Sequence, residues 1–177
     1  MPEPSSFAAS LSDFAAGVTP LAAFNAWLTP VLMQGPTFTK DSAGQLQAHF
    51  PFEVEAAMYL DIVADPGSPS FDEREARVLA GALCAILAQV SDPDTQLALA
   101  ELARSAHRTA QMIRQHLEGR LHRSAFERFL DRRHWPSPLA SAVRQLDQGQ
   151  LRRLAEGLEV NDYAAVAGAF DRQGESW

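Results

Sequence analysis

The sequence predicts an all-α fold, and specifically a single-domain helical bundle over residues 1–177. Alanine is abundant while the chain has only 10 Gly and 11 Pro, which favours helices. Helix-start signals recur along the whole chain, and the alternating apolar and polar runs typical of strands are nearly absent. We expect more than about 60% of the residues to be helical and no sheet beyond an incidental bridge. A chain of 177 residues can bury about 70% of its unfolded surface in one compact domain.

Glycine and proline divide the first third of the chain into short segments. A first helix is predicted over 6–16 and ends at Gly17, and a second begins at Pro20 and kinks or restarts at Pro30. A loop over 35–40 follows. Residues 42–49 are predicted as a turn, with a short helix as the alternative, and a third helix covers 51–64.

The run Ser70-Phe71-Asp72-Glu73 matches a capping box, in which the Ser70 side chain would cap the helix that follows. That helix, about 71–90, is apolar on nearly every side from Val78 onward. A helix without a polar face is enclosed by others, so we expect it to be the buried central helix and the most buried of the fold. The side chains expected to be buried are Leu79, Leu83, Cys84, Ile86 and Leu87.

The second half of the chain is predicted to hold one long helix followed by several short ones. Asp92-Pro93 opens the long helix, which should continue to about Leu121. The short C-terminal helices begin at a second capping box of Ser124 and Glu127, at Ser137, at Asp147 and at Asn161.

Charge is distributed unevenly along the chain. Residues 1–101 carry 3 basic and 13 acidic side chains, whereas residues 102–177 carry 12 basic and 9 acidic ones. Four of the five histidines and eight of the fourteen arginines lie between Arg104 and His134. Such an asymmetry favours either an anionic partner or the chain's own acidic half as the group that binds the basic stretch.

The motifs that would indicate an enzyme are missing from the sequence. It contains no glycine-rich phosphate loop and no Gly-x-Ser-x-Gly, and the lone Cys84 lies in an apolar helix that would keep its thiol unreactive. His107, His116, His122 and His134 lack the three- or four-residue spacing of a helical metal site. We therefore expect no cofactor, and these absences favour a binding protein over an enzyme. A metal- or small-ligand-binding enzyme using His107 or His116 is the third hypothesis.

The arginine-rich stretch is the best candidate for function. Arg104 and Arg108 share a helix face, and aromatic residues such as Phe126 and Phe129 alternate with the arginines that follow. Arginine and aromatic side chains together are typical of interface hot spots. The predicted partner-binding residues are Arg120, Arg123, Arg128, Arg132, Arg133 and Trp135. Trp135 is either a plug against the bundle or an exposed anchor.

Besides the metal- or small-ligand-binding enzyme, the sequence is compatible with two classes of function. The leading hypothesis is a non-enzymatic protein-interaction or regulatory module whose partner is another protein, such as an adaptor, an inhibitor or a neutralising partner. The acidic first half and the basic stretch could also pair between two copies, which would give a homodimer. The alternative is nucleic-acid or nucleotide binding through residues 104–133, which the net charge of −7 and the pI near 5.2 disfavour.

The sequence also predicts where the protein resides. The first residues have no basic region followed by a long apolar run, so we expect no signal peptide. The most apolar stretch, residues 78–90, is too short to cross a bilayer. A single cysteine is compatible with a reducing compartment, and the expected location is the cytoplasm.

Overall fold

The fold was analysed in a computed structural model that describes residues 4–133 and 137–170. Of these residues 69% are helical, and they form ten helices and one two-stranded sheet. The predicted all-α class is therefore confirmed. None of the helices in these two ranges is both long and apolar enough to cross a membrane.

The elements follow one another along the chain with short connections. In order they are α1 (Pro4–Ala15), α2 (Leu21–Met33), β1 (Thr37–Lys40), β2 (Leu46–His49), α3 (Phe52–Ala64), α4 (Glu73–Gln89), α5 (Pro93–Ala103), α6 (Ala106–Leu117), α7 (Arg123–Asp131), α8 (Ser137–Arg144), α9 (Gln148–Glu159) and α10 (Tyr163–Ala169).

The chain divides into two compact units, residues 1–84 and 85–177. In the first unit, the Phe14 and Phe24 rings stack with their centroids 3.8 Å apart, which joins α1 to α2. The Asn25 side chain donates a hydrogen bond of 2.9 Å to the Ala64 carbonyl, which fixes α2 against the end of α3. In the second unit, α9 packs against both α6 and α10. The single domain expected over 1–177 stays a prediction.

Helix α4 lies within the predicted range 71–90, but it is more amphipathic than the sequence indicates. Its buried side chains are Ala76, Leu79, Ala80, Ala82, Leu83 and Ile86, while Cys84 and Leu87 are only half-buried. Val78 is 56% exposed, and the first turn of α4 faces solvent. Seven of the 13 residues of α3 are buried against six of the 17 in α4, so the expectation that this helix is the most buried one is wrong. Short apolar side chains on α4, chiefly alanines, made it look enclosed in the sequence.

Asp72, and not Ser70, caps the start of α4. The Asp72 carboxylate accepts a hydrogen bond of 3.2 Å from the Glu75 amide. The Ser70 amide instead donates to the Ser68 hydroxyl oxygen, in the turn before the helix. The predicted capping box is therefore wrong by two residues, because Asp and Ser are about equally good caps and the chain uses the later one.

Asp72→Ala is expected to lower the free energy of unfolding by about 0.5–2 kcal/mol, because it leaves an amide of the first turn without its cap. Chemical denaturation monitored by circular dichroism measures this change. Ser70→Ala is the matched control and should leave the midpoint nearly unchanged. A larger loss for Ser70→Ala than for Asp72→Ala would contradict the assignment of the cap.

The short sheet between α2 and α3 contradicts the prediction of a loop and a turn over residues 35–49. Strands β1 and β2 form an antiparallel hairpin in which Phe38 pairs with Ala48. The Asp41 carboxylate accepts hydrogen bonds of 2.9 Å from the amides of Ala43 and Gln45, and Gly44 adopts a φ of +79°. The hairpin is thus stabilised by its turn, since every residue of both strands is exposed.

The predicted long helix over 93–121 is two helices in the structure. Asp92 caps α5 as expected, with its carboxylate 2.9 Å from the Thr95 amide. The chain then leaves the helical conformation at Ser105, which has φ −137° and ψ 32°. The Ser105 hydroxyl lies 3.4 Å from the hydroxyl of Thr109, a fully buried polar residue. Serine offers the backbone such local alternatives to a continuous helix, which explains the break.

The four C-terminal helices are 7 to 12 residues long, as predicted, although two of their caps differ from the prediction. Asp147 and Gln150 form the reciprocal capping box of α9, with hydrogen bonds of 2.8 and 3.0 Å. The predicted box of Ser124 and Glu127 is absent, since His122 caps α7. Asp162 rather than Asn161 caps α10. The cap lies two residues before the predicted one in α7 and one residue after it in α10.

Candidate anion-binding groove

Helices α5, α6 and α7 bring five arginines of the basic stretch together. Arg104 ends α5, and Arg108 lies one turn into α6. Arg128, Arg132 and Arg133 occupy the last turn and the end of α7, which packs against α6. The turn at Ser105 therefore places the end of one helix and the start of the next beside the same side of α7.

These arginines line two adjoining pockets. The smaller, of about 210 Å³, is bordered by Glu101, Arg104, Ser105, Arg132 and Arg133. The larger, of about 340 Å³, is bordered by Arg108, Met112, Ala125, Arg128, Phe129, Arg132 and Arg133. Because Arg132 and Arg133 belong to both, the two pockets form one surface, which we call the arginine groove.

The floor of the larger pocket is apolar. Phe129 is buried, Met112 is half-buried, and both border the pocket beside the guanidinium groups. The Arg133 guanidinium carbon lies 4.7 Å from the centroid of the Phe129 ring, a distance at which cation and ring attract each other. The groove therefore offers positive charge and an apolar surface side by side.

Within the described residues, four arginines of the groove have no acidic partner within ion-pair distance: Arg108, Arg128, Arg132 and Arg133. Arg104 differs, since it forms an ion pair of 3.6 Å with Glu101. The Arg133 Nε atom is buried and donates no hydrogen bond to any described residue. An unpaired buried donor is costly, so a ligand oxygen that reaches it would relieve a penalty already present in the free protein.

The structure separates the six predicted binding residues into three groups. Arg128, Arg132 and Arg133 lie together in the groove. Arg120 pairs with Glu118, and Arg123 pairs with Glu127 at 3.4 Å, and neither borders the groove. Trp135, proposed as a plug or an anchor, lies outside the described residues, as does His134.

Arg104, Arg108 and Met112 were not among the predicted binding residues, although the sequence contains a signal for them. They recur at steps of four, which places Arg108 and Met112 on one face of α6. The same spacing relates Arg128 to Arg132 on α7. These spacings mark one face on each helix, but they do not show that the two faces meet, and the density of charge favours residues 120–133 instead.

The described histidines lie in different environments and do not converge. His107 is exposed, and His122 caps α7. His116 stacks on Phe126, with ring centroids 4.7 Å apart and an interplanar angle of 5°. Over residues 4–133 and 137–170, no three His, Cys, Asp or Glu side chains come close enough to hold a metal ion.

Another arginine of the basic stretch, Arg114, has a structural role. Its guanidinium donates hydrogen bonds of 2.8 and 2.9 Å to the two carboxylate oxygens of Glu159, which joins α6 to α9. This hydrogen bonding lowers the pKa of Glu159 and raises the pKa of Arg114. Arg114 thereby differs from Arg108, Arg128, Arg132 and Arg133, which form no ion pair among the described residues.

Comparison of the chain with protein-family models, with curated proteins and with solved structures gives no match. The chemistry of the groove is therefore the basis on which a function can be argued.

Proposed function

We propose that the protein is a non-enzymatic interaction module that binds an acidic segment of another protein in the arginine groove. The observation that carries the proposal is the convergence of Arg108, Arg128, Arg132 and Arg133 without acidic partners among the described residues. Guanidinium groups bind carboxylates through paired hydrogen bonds, and such contacts are frequent hot spots.

The apolar floor favours a protein segment over a simple anion. Met112, Ala125 and Phe129 offer a surface of side-chain size beside the charges. An acidic segment with an apolar residue next to its carboxylates would use both parts of the groove. Arginine beside an aromatic ring, as for Arg133 over Phe129, is the combination enriched in the energetic centres of protein interfaces.

Nucleic-acid binding is the second candidate, and the same ring and guanidinium groups favour it, because a base could stack where an apolar side chain would bind. Two observations weigh against it. Arg120 and Arg123, which would extend a track for a phosphate backbone, are paired with glutamates. The net charge of −7 also repels a polyanion at long range.

The proposal is tested with a fluorescein-labelled peptide library in which Asp or Glu alternates with varied apolar residues. Fluorescence anisotropy at physiological salt should show binding to the full chain. The double variant Arg128→Gln/Arg132→Gln should weaken this binding by about tenfold or more, since it removes two charges from the groove. Arg120→Gln/Arg123→Gln is the matched control, because it removes the same charge outside the groove, and its affinity should change less than about twofold.

Equal losses in both double variants would show that the peptides sense only net charge, and the proposal would fail. A single-stranded oligonucleotide serves as the competing probe. If it binds more tightly than the peptides, and its affinity falls linearly in log salt concentration, the nucleic-acid candidate replaces the proposal.

A further inference from the structure

The positive charge of the arginine groove is larger than the single negative charge that one Asp or Glu side chain of a ligand would bring to it. Among residues 4–133 and 137–170, five guanidinium groups border its two pockets against one carboxylate, that of Glu101, which pairs with Arg104. An Asp or Glu side chain brings one negative charge and two oxygens. A phosphate monoester carries a charge of about −1.5 to −2 at pH 7 and three strong acceptor oxygens.

The arrangement of Arg132 and Arg133 suits a ligand with several oxygens. Both residues border both pockets, so they lie where the two volumes adjoin. The Arg133 guanidinium is positioned over the Phe129 ring, and its Nε is a buried donor without a hydrogen-bond partner among the described residues. A guanidinium positioned on a ring loses little side-chain entropy when it binds an oxyanion.

The apolar floor restricts the source of that phosphate. Met112, Ala125 and Phe129 border the same pocket as Arg108 and Arg128, so an apolar group next to the phosphate would pack against them. A phosphorylated side chain followed by an apolar residue provides such a group. A nucleic-acid backbone presents singly charged diesters in a long series, for which the glutamate-paired Arg120 and Arg123 offer no continuation.

We infer that the arginine groove recognises a phosphorylated side chain next to an apolar residue of the partner protein. This inference rests on the proposed function and refines it, because it makes phosphorylation of the partner the condition for tight binding. Recognition of phosphorylated segments by arginine clusters is an established use of this chemistry in proteins generally.

The test uses degenerate peptide libraries that differ only in the central residue. That residue is phosphoserine, phosphothreonine or phosphotyrosine in three libraries, and serine or glutamate in two others, with varied apolar residues on either side. Anisotropy with the full chain should show that at least one phosphorylated library binds about tenfold or more tightly than the glutamate library, because phosphate adds charge and acceptor oxygens. Arg128→Gln/Arg132→Gln should abolish that preference, and Arg120→Gln/Arg123→Gln should retain it.

The outcomes separate the inference from the proposed function. Equal affinity for phosphorylated and glutamate libraries, with both sensitive to Arg128→Gln/Arg132→Gln, would overturn the inference and leave the proposed function standing. No binding of any acidic library would overturn both. A phosphate preference that survives Arg128→Gln/Arg132→Gln would also overturn the inference, because the preference would then arise elsewhere. Circular dichroism of each variant verifies that the fold is retained.

Discussion

Leu83→Ala is expected to lower the free energy of unfolding by about 2–5 kcal/mol. Leu83 lies on the buried side of α4 with none of its surface exposed. Truncation would remove three carbon atoms from a closely packed interior and leave a cavity, which adds to the lost transfer free energy. Leu79, Ala80 and Ile86, the buried neighbours one turn away, belong to the same helix and cannot move in to fill the cavity without bending the helix.

Chemical denaturation of the unchanged protein and of the Leu83→Ala variant, at the same temperature, measures this change in the free energy of unfolding. Val78→Ala is the matched control, since it shortens an apolar side chain of the same helix that is 56% exposed. Its cost should stay within about 0.5 kcal/mol, because exposed positions contribute little. A loss below about 1 kcal/mol for Leu83→Ala would mean that this part of α4 is peripheral, which contradicts the burial seen in the structure.

Gly157→Ala is expected to destabilise the second unit by about 1–3 kcal/mol, although alanine is the better helix former. A Cβ atom at position 157 would lie 2.6 Å from the Val166 Cγ2 atom and 2.9 Å from the Asp162 carbonyl oxygen. The first contact could be relieved by the valine side chain, but the second involves the backbone at the cap of α10. Helices α9 and α10 would therefore have to separate, which exposes their shared apolar surface.

The control for Gly157 is Gly168→Ala in α10, where a Cβ atom would meet nothing within 4 Å. Because helix propensity alone acts at that position, we expect a gain in stability of up to about 1 kcal/mol. Opposite signs for the two substitutions in thermal or chemical denaturation would confirm the close approach of α9 and α10. A gain at both positions would refute it.

The sequence predicts some helix starts correctly from local signals. Asp92, which precedes Pro93, and Asp147, which is followed three residues later by Gln150, both cap their helices as predicted. The helix over 52–64 likewise starts next to Pro51 as expected. Local signals of this kind are sufficient because the atoms that satisfy the first turn lie within four residues of each other.

Prediction failed where two local solutions compete or where a turn determines the structure. Ser70 and Asp72 can both cap a helix, and the sequence motif alone selected the wrong one. Thr-Phe-Thr in β1 has strand propensity, but these residues form a strand only because the turn at Asp41 and Gly44 brings β2 beside them. The sequence analysis did not predict that turn. At Ser105 the periodicity of apolar residues continues through the break, so a pattern of spacing could not show it.

The candidate site was predicted in part for a similar reason. Residues 128, 132 and 133 were predicted because basic side chains are dense there. Basic residues that are close in the sequence also lie close in space when they belong to one short helix. Arg120 and Arg123 have the same density, yet each is neutralised by a glutamate two or four residues away. The contribution of Arg108 depends on the packing of α6 against α7, which is information that the sequence does not contain.

The hairpin has a practical consequence for labelling the protein. Lys40, the last residue of β1, is the one lysine of the sequence, and it is exposed. An amine-reactive dye at mildly alkaline pH therefore has one side-chain amine to label in this sequence, that of Lys40. Amine-reactive dyes do not modify guanidinium groups, so the side chains of the arginine groove stay unlabelled. A fluorophore attached in this way leaves the arginine groove chemically intact for the binding measurements proposed above.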